Sequence, residues 1–156
     1  LRIISWIKNA ITKLLFRFKY GSSIGELVLL NAKEVYCLGE GRGIGMVLKV
    51  AEAFKGTGSR VIGIIGSDSR GSMIMEEEMK KSCDELFITT RDGSYQRQGK
   101  VTDVLKDMLV AIEKSTHTEY PDLVFAAGGT EVLDEVSRLT QGCGIKTITR
   151  EIAHVQ

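Results

Sequence analysis

Proline is nearly missing from this chain, with Pro121 alone, and cysteine is sparse. Cys37, Cys83 and Cys143 are odd in number, scattered, and form no C-x-x-C pair. A disulfide framework and a zinc ribbon are thereby excluded as organising devices. A reducing, cytoplasmic setting is the simplest reading. An excess of one charge is missing too: the net charge is +1, so nothing in the balance calls for nucleic acid. No apolar run approaches the roughly 20 residues of a membrane span, and no signal-peptide pattern precedes the first strand. The first residue is Leu1 rather than methionine, so the chain is expected to be a piece of something longer. His117 and His154 have no Cys, Asp or Ser at a catalytic spacing, and no catalytic or metal-binding residue is assigned.

Glycine is what the chain does have, with 17 residues in a length of 156, enough for one domain with a sizeable core. From Glu34 onward short β-branched runs alternate with longer helical stretches. Strands are expected at 34–39, 60–67, 85–90, 123–128 and 146–149, and helices near 44–56, 72–83, 99–115 and 131–141. Strands apolar on both faces and separated by helices imply a parallel sheet wrapped on both sides. The expected fold is α/β, a doubly wound, Rossmann-like sheet of about five strands in the order 3-2-1-4-5, with helices on both faces.

Residues 1–20 carry five basic side chains and no acidic one. Ile3, Ile7, Ile11, Leu14 and Phe18 could line one helical face. Such a face can lie on a membrane, but packing on its own domain or on a missing neighbour is the plainer reading. "GSSIGE", residues 21–26, reads as a linker or turn. The domain plan is therefore a basic segment and linker over 1–26, followed by one domain over 27–156.

"GEGRGIG" sits where the first strand meets a helix. Glycines there let a ligand's oxygens approach the backbone, and the helix N-terminus attracts a pyrophosphate. Gly39, Gly41, Gly43, Ile44 and Gly45 are the candidate contacts. Glu40 is out of place, because a carboxylate repels phosphate. Either it points away with Arg42 offsetting its charge, or it accepts hydrogen bonds from ribose hydroxyls. The second strand ends in "GSDSRGS". Asp68 there could bond the adenosine ribose of NAD, whereas Ser69 and Arg70 could hold the 2′-phosphate of NADP. The fourth strand ends in "AAGGTEVL", a second glycine joint. In a 3-2-1-4-5 sheet it faces the first across the crevice where strand order reverses. The acidic run Glu76–Glu78 reads mainly as solvated helix surface.

These pieces resemble the NAD(P)-binding domain of the ferredoxin–NADP reductase superfamily. They are most similar to the electron-transfer subunits of dihydroorotate dehydrogenase, sulfide dehydrogenase and soluble hydrogenases. "CLGEGRGIGMV" is similar to the family's C-h-G-G-G-x-G-I-A-P loop, and "IIGSDSRGSMIMEEEM" to its strand–loop–acidic helix. "TTRDGSYQRQGKVTDVL" is close to T-x-D-G-S-x-G-x-x-G-x-V-T-D-V-L, and "FAAGGTEVLDEV" takes the place of Y-A-C-G-P-x-P-M-L. Met46 stands where the family usually has proline, Ala127 where it has cysteine, and Gly129 where proline follows.

The resemblance implies a nucleotide-binding domain that positions NAD or NADP for hydride exchange with FAD. It places Thr90 and Asp92 along the groove, and Gly128, Gly129, Thr130 and Glu131 near the nicotinamide. No R-x-[YF]-[ST] flavin motif occurs, so FAD is expected on a domain outside this chain, of which residues 1–26 could be the remnant. An iron–sulfur cluster is expected in a tail or a partner. Partners would be that FAD domain and iron–sulfur or catalytic oxidoreductase subunits, with no nucleic acid and no membrane. This piece alone is expected to be inactive. Two rivals are a degenerate partner-docking module, favoured by Glu40, Met46 and Ala127, and a domain like the S-adenosylmethionine-dependent methyltransferases, whose first loop "LGEGRG" also resembles.

Overall fold

A computed structural model of the chain describes residues 3–4, 7–8, 10–11, 22–28 and 30–153. Helix α1 (Ser22–Val28) leads into β1 (Glu34–Glu40), α2 (Gly43–Gly56) and β2 (Arg60–Ser67). A 3-10 turn at Arg70–Ser72 precedes α3 (Glu76–Ser82), β3 (Glu85–Thr90) and β4 (Arg97–Gln98). Then follow α4 (Val101–Lys114), β5 (Leu123–Gly128), α5 (Thr130–Gln141) and β6 (Lys146–Glu151). The strands form one parallel sheet in the order β4-β3-β2-β1-β5-β6. The five expected strands keep the expected order, and the two-residue β4 is an addition at one edge.

Alternation along β1 divides the core. Val35 and Cys37 join Val47, Ala51 and Phe54 of α2, with Met79 of α3, on one face. Tyr36 and Leu38 join Val104 and Leu105 of α4 and Val136 of α5 on the other. A strand buried on both faces needs apolar side chains at successive positions, as the continuous burial of β1, β2 and β5 reflects. Asp122 ties the start of β1 to β5 by accepting the amides of Lys33 at 2.8 Å and Glu34 at 3.0 Å.

Two expectations change. "GSSIGE" is not a linker: α1 begins at Ser22, with Gly25 and Leu27 buried and Ile24 packed on the core. Tertiary burial there outweighs a glycine's cost of about 1 kcal/mol within a helix. The helix expected at 72–83 starts late, because Met75 adopts φ 57° ahead of α3. That left-handed residue breaks the helical path, and Glu76–Glu78 then occupy the first turn, where the helix dipole favours carboxylates. Glu77 and Glu78 are solvated, while Glu76 is half-buried. Ile3, Ile7 and Ile11 are helical and exposed; Leu14, Phe18 and most of the basic segment lie outside the described residues, as does His154. Among the described residues no helix is long and apolar enough to cross a membrane.

Candidate functional site

A cleft of about 590 Å³ opens at the carboxyl ends of β1, β2 and β5. Its walls come from both glycine joints. Gly41 and Gly43 lie on one side, and Gly128, Gly129, Thr130 and Glu131 on the other. β1 and β5 are neighbours in register, with Gly39 opposite Ala127, so the two joints emerge side by side. A Cβ on Gly128 would lie 3.7 Å from Cβ of Glu40.

The glycines have internal reasons as well. A Cβ on Gly43 would fall 2.2 Å from the Ala127 carbonyl oxygen, so α2 can press against the end of β5 only with glycine there. Gly39 is similarly tight, its Cβ position 3.0 Å from Cα of Ile44. Gly41 takes φ +57°, a conformation that glycine reaches without penalty. Gly45 is roomier, since a Cβ on it would lie 3.8 Å from Cε of Met75, and Ile44 is a fully buried core residue. Neither Gly39, Ile44 nor Gly45 lines the cleft.

The β2 end divides in the same way. Asp68, exposed, and Ser72 face the cavity. Ser69 and Arg70 instead hold the turn together: the Ser69 amide donates to Ser72 Oγ at 3.1 Å and the Arg70 amide to Ser94 Oγ at 2.8 Å. The Arg70 guanidinium sits 5.0 Å from the centre of the Tyr95 ring. Thr90 is fully buried, donating its hydroxyl to the Tyr95 carbonyl at 2.7 Å. Asp92 accepts the Ser94 amide at 2.9 Å, and bonds to the Ser94 hydroxyl and amide hold its carboxyl below the usual range. Thr90 and Asp92 therefore shape the 91–96 loop rather than the cavity wall. Tyr95 and Arg97 are likewise held by their own domain. The Tyr95 hydroxyl donates to Glu76 at 2.7 Å, and Arg97 pairs with Asp107 at 2.7 Å.

Glu40 lies in the cleft wall and does not point away. The cation bonded to it is Arg91, not Arg42. The Arg91 Nε–H donates to Glu40 Oε1 at 2.9 Å, and Nη2 donates to the same oxygen. These bonds hold the guanidinium above its ordinary value. Arg91 Nε is also 3.7 Å from Asp68. Sequence reasoning missed Arg91, which comes from the end of β3, two strands away from β1. The available signal was that a carboxylate inside a glycine turn requires a counter-charge, but spacing pointed to the adjacent Arg42. Ile152 and Ala153 were missed as well. Past β6 the chain turns along the cavity, the Ile152 amide donating to the Gly128 carbonyl at 3.0 Å and Thr130 Oγ1 to Glu151 at 2.6 Å.

The thiols are outside this site. Burial pushes the Cys37 thiol up strongly, and burial, then the Asp84 charge, pushes Cys83 up to about 11. Neither is a ready nucleophile.

No family model matches the chain. It is 30% identical over 101 residues to a probable dihydroorotate dehydrogenase B (NAD(+)) electron transfer subunit of Methanopyrus kandleri, a match over 65% of this chain and 36% of that protein. It is 35% identical over 107 residues to the corresponding subunit of Fusobacterium nucleatum, covering 62% of this chain and 41% of that one. The chain thus spans about two fifths of the length of these relatives. Among solved structures, an NADH-dependent reduced ferredoxin–NADP oxidoreductase superposes with a TM-score of 0.63 at 22% identity, over 79% of this chain and 41% of that chain. Over the part it spans, the chain is similar in sequence to electron transfer subunits of dihydroorotate dehydrogenase B, and its fold is ferredoxin–NADP reductase-like.

Proposed function

We propose that this chain is the nucleotide-binding domain of a flavin-dependent electron-transfer subunit, holding NAD(P)H for hydride exchange with FAD carried on a domain outside the chain. The observation that carries this reading is the convergence of two glycine joints, Gly41–Gly43 and Gly128–Glu131, on one cleft at the point where strand order reverses. Its volume, about 590 Å³, suits a ligand of nucleotide size. The donor set suits one too. Backbone amides at the start of α2 and the guanidinium of Arg42 are available for phosphate, and the carboxylates of Asp68 and Glu131 for ribose hydroxyls. A bound nicotinamide supplies the hydride.

The residues of the chain bind and orient. Gly43, closed against Ala127, sets the position of the α2 N-terminus, and Ile152 with Ala153 borders the cavity on the β6 side. No thiol lines the cleft among the described residues. An iron–sulfur or catalytic subunit would complete the electron path.

Calorimetric titration with NADH, NADPH and ADP-ribose tests the reading. Saturable heat with at least one of them is expected. No heat at millimolar concentrations of all three overturns it, and a thermal shift with S-adenosylhomocysteine in their place would favour a methyltransferase-like domain.

A further inference from the structure

Glu40 is the feature of the cleft for which a phosphate-cradling turn has no use. Its Cβ stands at the seam between the two joints, 3.7 Å from where a Cβ on Gly128 would lie. Oε1 takes both hydrogen bonds from Arg91, while Oε2 is shut off from solvent and has no hydrogen-bond partner. A buried carboxylate oxygen without a donor is costly, and such oxygens call for an explanation. The surroundings sharpen the point. Asp68 and Glu131 line the same cavity, so three carboxylates there face the guanidiniums of Arg42 and Arg91. Arg91 is spoken for by Glu40 and stands 3.7 Å from Asp68. A diphosphate laid over the β1–α2 turn would meet the Glu40 carboxylate with its own nearest cation already engaged.

The Arg91 side chain is partly exposed, whereas that of Glu40 is largely covered. The more exposed member of the pair is Arg91, and its departure would free Oε1 of both hydrogen bonds. A guest that offers a hydroxyl at Glu40 and an anion at Arg91 satisfies both groups in one exchange. A guest with phosphate alone satisfies only the second and leaves Glu40 a bare charge.

We propose that Glu40 is the specificity-determining residue of the cleft, its carboxylate accepting a sugar hydroxyl while Arg91 passes from Glu40 to the guest's phosphate. Glu40 then takes a ribose, and the phosphates lie toward the guanidiniums of Arg42 and Arg91. This inference rests on the nucleotide reading above, and the test separates the two.

The chain, E40Q and E40G are titrated calorimetrically with ADP and with ADP-ribose, which adds a terminal ribose. Wild type is expected to bind ADP-ribose about tenfold more tightly than ADP. E40Q keeps the side-chain shape but loses the charge, and should shrink that ratio to about threefold or less, with ADP binding at least as well as in wild type. E40G, which restores an unobstructed turn, gives a second reading should E40Q fold poorly, and thermal melts identify folded variants. Wild type binding both ligands with a ratio unchanged in both variants overturns the role of Glu40 and leaves the nucleotide reading standing. Equal gains for both ligands in the variants also overturn it, showing the pair to be a plug. Wild type binding neither ligand overturns both.

Discussion

Gly43 stands so close to the Ala127 carbonyl that a Cβ on it would lie 2.2 Å from the oxygen. The contact joins the first helix turn after β1 to the last residues of β5, and so fixes the two sides of the cleft relative to each other. Gly43→Ala must push α2 away from β5. The expected cost is about 1–3 kcal/mol, the range for overpacking, read as a lower urea midpoint with little change in slope. Gly45→Ala, 3.8 Å from its nearest neighbour atom, should cost far less.

Met75 offers the opposite case. At φ 57° it holds a left-handed conformation that costs an ordinary residue about 1–2 kcal/mol. Met75→Gly removes that strain but also a partly exposed side chain. The net expectation is a stabilisation of up to about 1 kcal/mol, seen as a raised Tm.

Asp84 links α2 to the sheet. It accepts the Lys55 ammonium at 2.6 Å on one oxygen and the Val61 amide at 2.8 Å on the other. The Lys55 bond first, then that amide, hold its carboxyl below the usual range. A carboxyl lowered by folding stabilises the fold at pH above its unfolded value, near 3.9, and that contribution fades as pH falls through the folded value. Asp84→Asn should therefore cost about 1 kcal/mol at neutral pH and progressively less in acid. Denaturant midpoints of the two proteins measured between neutral and strongly acidic pH check this.

The thiols differ by place. Cys37 and Cys83 are buried and Cys143 is half-exposed. A disulfide-exchange reagent should label Cys143 first in the folded chain and the other two only on unfolding. Fast labelling of Cys37, whose side chain is fully enclosed, would contradict the packing of β1 against α2.

Strand order was legible in the sequence because both faces of β1, β2 and β5 are buried, and continuous apolar runs leave little choice but a parallel, helix-covered sheet. The cleft was partly legible. Gly41, Gly43, Asp68 and Gly128 to Glu131 came together as strand ends at one edge. Gly39, Ile44, Gly45, Ser69, Arg70, Thr90 and Asp92 did not join them. Their residue types fit a ligand contact and an internal turn equally well, and only the direction of a side chain or amide separates the two. Arg91 was illegible for another reason: its partner Glu40 ends β1, two strands away in the sheet, and local spacing carries no information about which cation closes on a carboxylate. The α1 helix escaped notice because its glycine and serines signal a turn until the core beneath them is known.

Asp122 clasps the amides of Lys33 and Glu34, and β1 has β5 as its second neighbour, although β5 is made long after it. During synthesis one side of the apolar β1 therefore waits without a partner until residues 123–128 have left the ribosome. Truncated products ending before that point would carry an open sticky margin, and their fate should be capture by chaperones or aggregation rather than a smaller stable fold.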